Sequence, residues 1–233
     1  ALVCVVALSL FSCKKQDDVL PESTSSEYST LSSSNEASLK TSSLTSANGL
    51  MLGVNGHPFG DAPYLATPAA KQVELIKGMK MNWYRINVLT TSDGTISASS
   101  SSIFSLLQQA CESGNVNILP MLYPRTMNLA DKPADAYEKG RVLGANFAAK
   151  YGKYFEYYDL GNDLELKLLA PNTTGREVSH YDVAKSAVTA AYLKGMDEGI
   201  KSKDANAKTM IDAGWLHWGF LTVCQNYNVK FDA

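Results

Sequence analysis

The residue types that could carry chemistry in this chain fall into four short groups. In order they are Asn55-Gly56-His57-Pro58, then Trp83-Tyr84-Arg85-Ile86-Asn87, then Tyr158-Asp159-Leu160-Gly161-Asn162-Asp163, and finally Asp212 with Trp215, His217 and Trp218 just beyond it. A strand period of two sets Trp83, Arg85 and Asn87 on one face and Tyr84, Ile86 and Val88 on the other. Asp159, Gly161 and Asp163 share a face in the same way, with Leu160 opposite. An inward-facing Arg needs carboxylate or substrate-oxygen partners, because an unpaired buried charge is expensive. A salt bridge that only organises the interior meets that need as well as a functional site does. Aromatics beside such groups are the usual platform for sugar rings, whose axial C–H faces pack on them, although most Trp and Tyr residues are simply core. Among the four Cys and three His no metal-ligand spacing occurs.

The elements that must position these groups follow from the periodicity, which alternates between short apolar runs and helical patterns. Leu50–Asn55 reads as a first strand, and Thr67-Pro68 caps a helix running to about Lys80. Asn82–Val88 is a second strand. A helix carrying Ile103, Leu106, Leu107 and Ala110 follows, with Gly114 placed to end it, and Val116–Leu122 is the third strand. Pro133–Lys153 is helical, Phe155–Leu160 is the fourth strand, Ser179–Lys201 a long helix, Lys208–Asp212 the fifth strand and Leu216–Tyr227 a helix. Val229–Asp232 reads as the start of a sixth strand.

Strict alternation of this kind predicts an α/β fold with a parallel sheet and right-handed crossover helices, either a barrel or a doubly wound open sheet. No G-x-G-x-x-G turn follows the first strand, since Gly53-Val54-Asn55-Gly56-His57 leads into Pro58. The expectation is a (β/α)8 TIM barrel, incomplete over residues 48–233, with about five βα units and its chemistry at the C-terminal strand ends.

Asn55-Gly56-His57-Pro58, Trp83-Tyr84-Arg85-Ile86, Tyr158 through Asp163 and Gly214-Trp215-Leu216-His217-Trp218-Gly219-Phe220-Leu221 together resemble a clan A retaining glycoside hydrolase, of a type found in secreted bacterial lipoproteins. The resemblance covers most of residues 48–233. Each motif alone is weak, while their order, one per successive strand end, is more specific. It implies hydrolysis of O-glycosidic bonds in a β-linked polysaccharide by a two-carboxylate mechanism that needs no cofactor. In that clan the fourth strand ends in Asn-Glu, the Asn bonding the sugar 2-hydroxyl and the Glu acting as general acid/base. The match puts these roles on Asn162 and Asp163. Arg85 corresponds to an inward Arg that supports the nucleophile electrostatically, and His57, Trp215 and His217 correspond to substrate-binding or scaffold positions.

Two features depart from that pattern. Asp163 stands where Glu is expected, which withdraws the carboxyl by about 1.5 Å, and about 1 Å of misplacement can cost on the order of 10²-fold. Glu165 follows two residues on. The clan's nucleophile, a Glu ending the seventh strand, has no counterpart before Ala233, and retaining chemistry needs two carboxyls about 5–5.5 Å apart. The expectation is therefore a chain truncated before the nucleophile strand and inactive as a fragment. A non-catalytic glycan-binding surface lipoprotein derived from a glycosidase, with Trp83, Trp215 and Trp218 holding sugar, is the competing reading. A barrel or open-sheet domain with unrelated chemistry is the third.

Residues 1–13, ALVCVVALSLFSC, are uncharged and shorter than the roughly 20 residues a membrane-spanning helix needs, so they read as a signal-peptide core. The ending Leu10-Phe11-Ser12-Cys13 resembles a lipobox, with Cys13 as the acylated residue. Residues 14–47 are dominated by Ser and Thr and read as a disordered tether. Lys14-Lys15-Gln16-Asp17-Asp18 resembles a lipoprotein sorting signal for the outer face of a Gram-negative outer membrane. The expected partners are a polysaccharide or oligosaccharide and outer-membrane lipid. A net charge of −2, with 45% hydrophobic and 19% charged residues, excludes an electrostatic nucleic-acid binder and a wholly disordered chain. Cys111 and Cys224 read as buried thiols.

Overall fold

The computed structural model describes residues 51–233; the segments expected to be a signal peptide and a tether, and Cys13, the expected lipidation site, lie outside the described residues. Among the described residues strands and helices alternate: β1 (Gly53–Gly56), α1 (Ala62–Leu65), α2 (Ala69–Gly78), β2 (Trp83–Val88), α3 (Ala98–Gly114), β3 (Asn117–Leu122), α4 (Pro133–Tyr151), β4 (Tyr157–Leu160), α5 (Val183–Lys201), β5 (Lys208–Met210) and α6 (Gly219–Asn226). All neighbouring strands are parallel, in the order β1-β2-β3-β4-β5. A doubly wound sheet reverses its strand order partway. Here the order runs one way, so successive right-handed crossovers lay the helices on one side and leave the other face as the inner wall of a barrel.

Burial along β2 alternates as the two faces require: Tyr84, Ile86 and Val88 are buried, while Trp83, Arg85 and Asn87 are half-buried. The buried set meets Val73 and Ile76 of α2, Phe104 and Leu107 of α3 and Leu143 and Phe147 of α4 in one apolar core between sheet and helices. Behind β4 the helices α4 and α5 touch backbone to backbone. A Cβ on Gly140 would overlap the carbonyl of Tyr192, and one on Gly144 that of Met196; one on Gly195 would overlap the carbonyl of Tyr137, and one on Gly199 that of Arg141. Two glycines four residues apart on each helix form a seam that no larger residue fits.

Several element ends differ from the sequence-based expectation, each for a local reason. Gly114 is the last residue of α3, as expected, but the left-handed residue that closes the helix is Asn115 (φ 55°, ψ 47°), and what Gly114 avoids is an overlap of a side chain with Val73 of α2. Helix α5 starts at Val183 rather than Ser179, because Asp182 caps it by accepting the Lys185 N–H at 2.9 Å, and Val178–His180 forms a separate 3-10 turn. The short helix α1 has Pro63 at its start and carries little periodic signal. Val229–Asp232 lies along β5 without forming a regular strand. The N–H of Asp232 donates to the Thr209 carbonyl at 2.7 Å, and the Asp232 carboxylate accepts the Thr209 N–H at 2.9 Å, where a strand would use its own carbonyl.

Candidate functional site

Register brings the polar residues of the inner face together. Asn55 of β1 is level with Arg85 of β2, and Asp159 of β4 with Met121 of β3. The Arg85 guanidinium spends its donor fork on four partners: Nε donates to Asp159 Oδ2 at 2.6 Å, Nη2 to Asp212 Oδ2 at 2.8 Å and Asn162 Oδ1 at 2.9 Å, and Nη1 to Asn55 Oδ1 at 3.1 Å. One side chain thus ties together the ends of β1, β2, β4 and β5. Asp159 is 3% exposed and its Oδ1 has no hydrogen-bond partner among the described residues. Burial pushes its pKa up to about 7 against the pull of Arg85, and the Asp212 carboxylate adds to the rise. Asp212 is raised as well, chiefly by burial.

The turn after β4 delivers Asn162 and Asp163 to this cluster. The strand ends at Leu160, so the alternation of faces does not carry through to Asp163 as the sequence pattern suggested. Gly161 (φ 96°) and Asp163 (φ 47°, ψ 40°) both have positive φ, and the Asp163 N–H donates to Asp212 Oδ1 at 2.9 Å. Asn162 Nδ2 donates to Asp163 Oδ2 at 2.7 Å. A left-handed residue costs roughly 1–2 kcal/mol for most side chains and least for Asp or Asn, whose short polar groups bond locally. That gives a backbone reason for Asp rather than Glu at position 163.

Glu165 does not substitute for Asp163. It is fully buried in the 3-10 turn Leu164–Lys167, where its Oε1 accepts from the Gly214 N–H at 2.7 Å and faces His217 Nδ1 at 3.0 Å. His57 stands apart from the Arg85 cluster: its Nδ1 lies 2.6 Å from Asn87 Nδ2, and its ring meets Tyr64 edge-on. With Asn87 donating, that nitrogen is an acceptor. Trp215 is 95% exposed, and Trp218 is 48% exposed with the Arg176 guanidinium 5.2 Å over its ring. Trp83 packs edge-on against Tyr157, and both line, with Asn55, Arg85, Leu119 and Met210, an inner cavity of about 250 Å³. Arg85, Asn162 and Asp163 are therefore brought together, Glu165 and His217 form an adjoining pair, and His57 and Trp215 lie outside both. The need of Arg85 for counter-ions was legible, but that Asp159 and Asp212 both serve, with Asn55 as a fourth partner, depends on register that sequence does not print. No group of three or more His, Cys, Asp or Glu among the described residues could hold a metal, and no described helix is long and apolar enough to cross a membrane.

No protein-family model and no curated protein matches the chain. Solved structures do. A glycoside hydrolase family 5 enzyme from Prevotella bryantii B14, PbGH5A, superposes with a TM-score of 0.50 at 12% identity over 69% of this chain and 54% of that one. Aphid myrosinase gives a TM-score of 0.50 at 10% identity over 70% and 46%. The exo-beta-1,4-mannosidase Op5Man5 from Opitutaceae bacterium strain TAV5 gives 0.49 at 18% identity over 72% and 33%. This chain spans between a third and about half of those structures. The likeness is one of fold: the described residues form five consecutive βα staves of a TIM-type barrel. Glycoside hydrolases are among the structures that share it.

Proposed function

We propose that this chain carries the acid/base half of a retaining glycoside hydrolase acting on a β-linked polysaccharide. The supporting observation is the convergence of Asn162, Asp163 and Asp212 just beyond the C-terminal ends of β4 and β5, with Arg85 reaching them from the middle of β2, at the barrel face where enzymes of this fold place their chemistry. In this reading Asp163 protonates the glycosidic oxygen as the bond breaks and then takes a proton from the attacking water. Asn162 has one amide N–H on Asp163 and offers the other to a sugar hydroxyl. Arg85 holds Asn162 and the β5 end in place and supplies positive charge beneath the sugar. The nucleophilic carboxylate belongs, in this proposal, to a later strand of the parent protein, and the chain alone binds saccharide without turnover. The test is hydrolysis of β-linked polysaccharides by the full-length product: Asp163→Ala should abolish turnover and leave binding by calorimetry intact. Turnover unchanged in Asp163→Ala refutes the assignment.

One observation favours the non-catalytic reading, a glycan-binding surface lipoprotein. Asp163 is a methylene short of the expected Glu, and its Oδ2 is already engaged by Asn162. Saccharide binding by a full-length product that never hydrolyses would support it. Acylation at Cys13, and with it a place on the outer-membrane surface, belongs to both readings; labelled palmitate incorporated equally by Cys13→Ala would overturn it.

A further inference from the structure

We propose that Glu165 is a positioning residue that fixes the backbone of the Gly214–Trp218 turn, from which the exposed Trp215 indole is offered to a saccharide. The ligand class rests on the glycosidase-like reading above; the geometry does not.

Glu165 is 0% exposed, and a buried carboxylate is expensive unless hydrogen-bonded. Its bonds run to one place only. Oε1 takes the Gly214 N–H and faces His217 Nδ1, the groups on either side of Trp215, while Oε2 has no partner among the described residues. His217 is held a second time: its N–H donates to the Gly214 carbonyl at 3.1 Å, and the Tyr181 hydroxyl lies 3.1 Å from its own carbonyl. Between these anchors Trp215 has φ 50°, a left-handed conformation unusual for a bulky side chain and kept only where the surroundings over-determine it. The turn is thus fixed at both ends, yet the indole it carries is 95% exposed, a large apolar surface left in water.

The turn also sits against the acid/base position. A Cβ on Gly214 would stand 3.1 Å from both Asp163 Oδ1 and Glu165 Oε1, so the backbone before Trp215 rests on the two carboxylates at once. The exposed indole that follows offers a flat apolar face of the kind that packs on the C–H face of a sugar.

The experiment is fluorescence and calorimetric titration of the full chain with cellohexaose, mannohexaose and xylohexaose. Trp215→Ala should weaken binding of the best ligand roughly tenfold, the scale of one lost aromatic contact. Glu165→Ala should weaken it by a similar factor, and the double variant should be no weaker than either single one, because both remove the same platform. Glu165→Gln keeps the Oε1 acceptor and should bind like wild type. Binding unchanged in Glu165→Ala, or multiplicative losses in the double variant, overturns the proposal. Should Glu165→Ala not fold, His217→Ala replaces it, with weakened binding expected and unchanged binding decisive against. If the wild type binds none of the hexasaccharides, the glycosidase-like reading and the platform fall together. The clamp itself is then judged by amide exchange: protection at Gly214 and His217 lost in Glu165→Ala but kept in Glu165→Gln supports it, and protection unchanged in both refutes it.

Discussion

Replacing Arg85 by Met tests the electrostatic account of the site, because it removes the guanidinium while keeping an apolar stem of similar length. The substitution takes away a 2.6 Å bond to Asp159 and a 2.8 Å bond to Asp212, both carboxylates raised in pKa chiefly by burial. Removing one partner of a buried ion pair costs about 3–5 kcal/mol when the other stays charged. The loss should depend on pH. Asp159 has a folded pKa of about 7 against 3.8 for the free side chain, so the folded state binds more protons than the unfolded one between those values. Wild-type stability therefore falls as pH rises through that window. Without Arg85 the ionised form is costlier still and the fall should extend to higher pH. Near pH 7.5 the loss should exceed that near pH 5 by up to about 1 kcal/mol from Asp159, because this pH is only about half a unit above the wild-type value and the carboxyl takes a proton in the variant instead of staying charged. Near pH 5, with Asp159 protonated, only neutral hydrogen bonds and part of the Asp212 pairing are lost, about 1–2 kcal/mol. Urea unfolding followed by tryptophan fluorescence at the two pH values measures both. Equal losses at both, or a loss below about 1 kcal/mol at the higher, would mean that the cluster behaves as a solvated surface pair and that the reasoning is wrong.

Two further predictions concern packing. Gly195→Ala adds a residue with better helix propensity by about 1 kcal/mol, yet it should destabilise by roughly 1–3 kcal/mol in thermal or urea unfolding, because the new methyl meets the Tyr137 carbonyl across the α4–α5 seam; a rise in stability would refute the close approach. Cys111 and Cys224 are free and buried, and burial pushes both thiols up to about 12. Both should resist iodoacetamide near pH 8 until denaturant is added, as read by mass spectrometry, and rapid labelling of either in the native protein would contradict their burial.

The barrel architecture was legible because its signals are local and repeated. Apolar runs at strand length, helical stripes between them and polar residues at successive strand ends all appear in the sequence, and β2 buries Tyr84, Ile86 and Val88 as its period of two requires. Where residues met across strands, sequence reading stopped short. Arg85 was visibly in need of partners, but Asp159 is 74 residues away and Asp212 is 127 away, and pairing over such separations is set by register and by the stagger between β2 and β4. The role of Glu165 was hidden for a related reason: its partners sit on a loop about 50 residues later. Asp163 was readable as a residue but not as a conformation, since positive φ follows from the turn that Gly161 begins. The four glycines of α4 and α5 lie inside segments whose pattern is helical, and their spacing of four on both helices is the available sign of a close crossing.

The glycine seam also has a mechanical meaning for the site. Helix α4 leads into β4, and α5 leads out of the β4 turn and into β5, so the height of one strand end relative to the next is fixed by how the two helices are keyed together. With glycine set against backbone at four points, the helices cannot slide by a fraction of a turn without bringing larger residues against the opposing backbone, and a full-turn slip would displace the strand ends by about 5.4 Å. One guanidinium spans from Asp159 to Asp212 with bonds of 2.6 and 2.8 Å, a reach with no such slack. The helix pair on the outside of the barrel thus works as the ruler by which the charges on the inside are spaced.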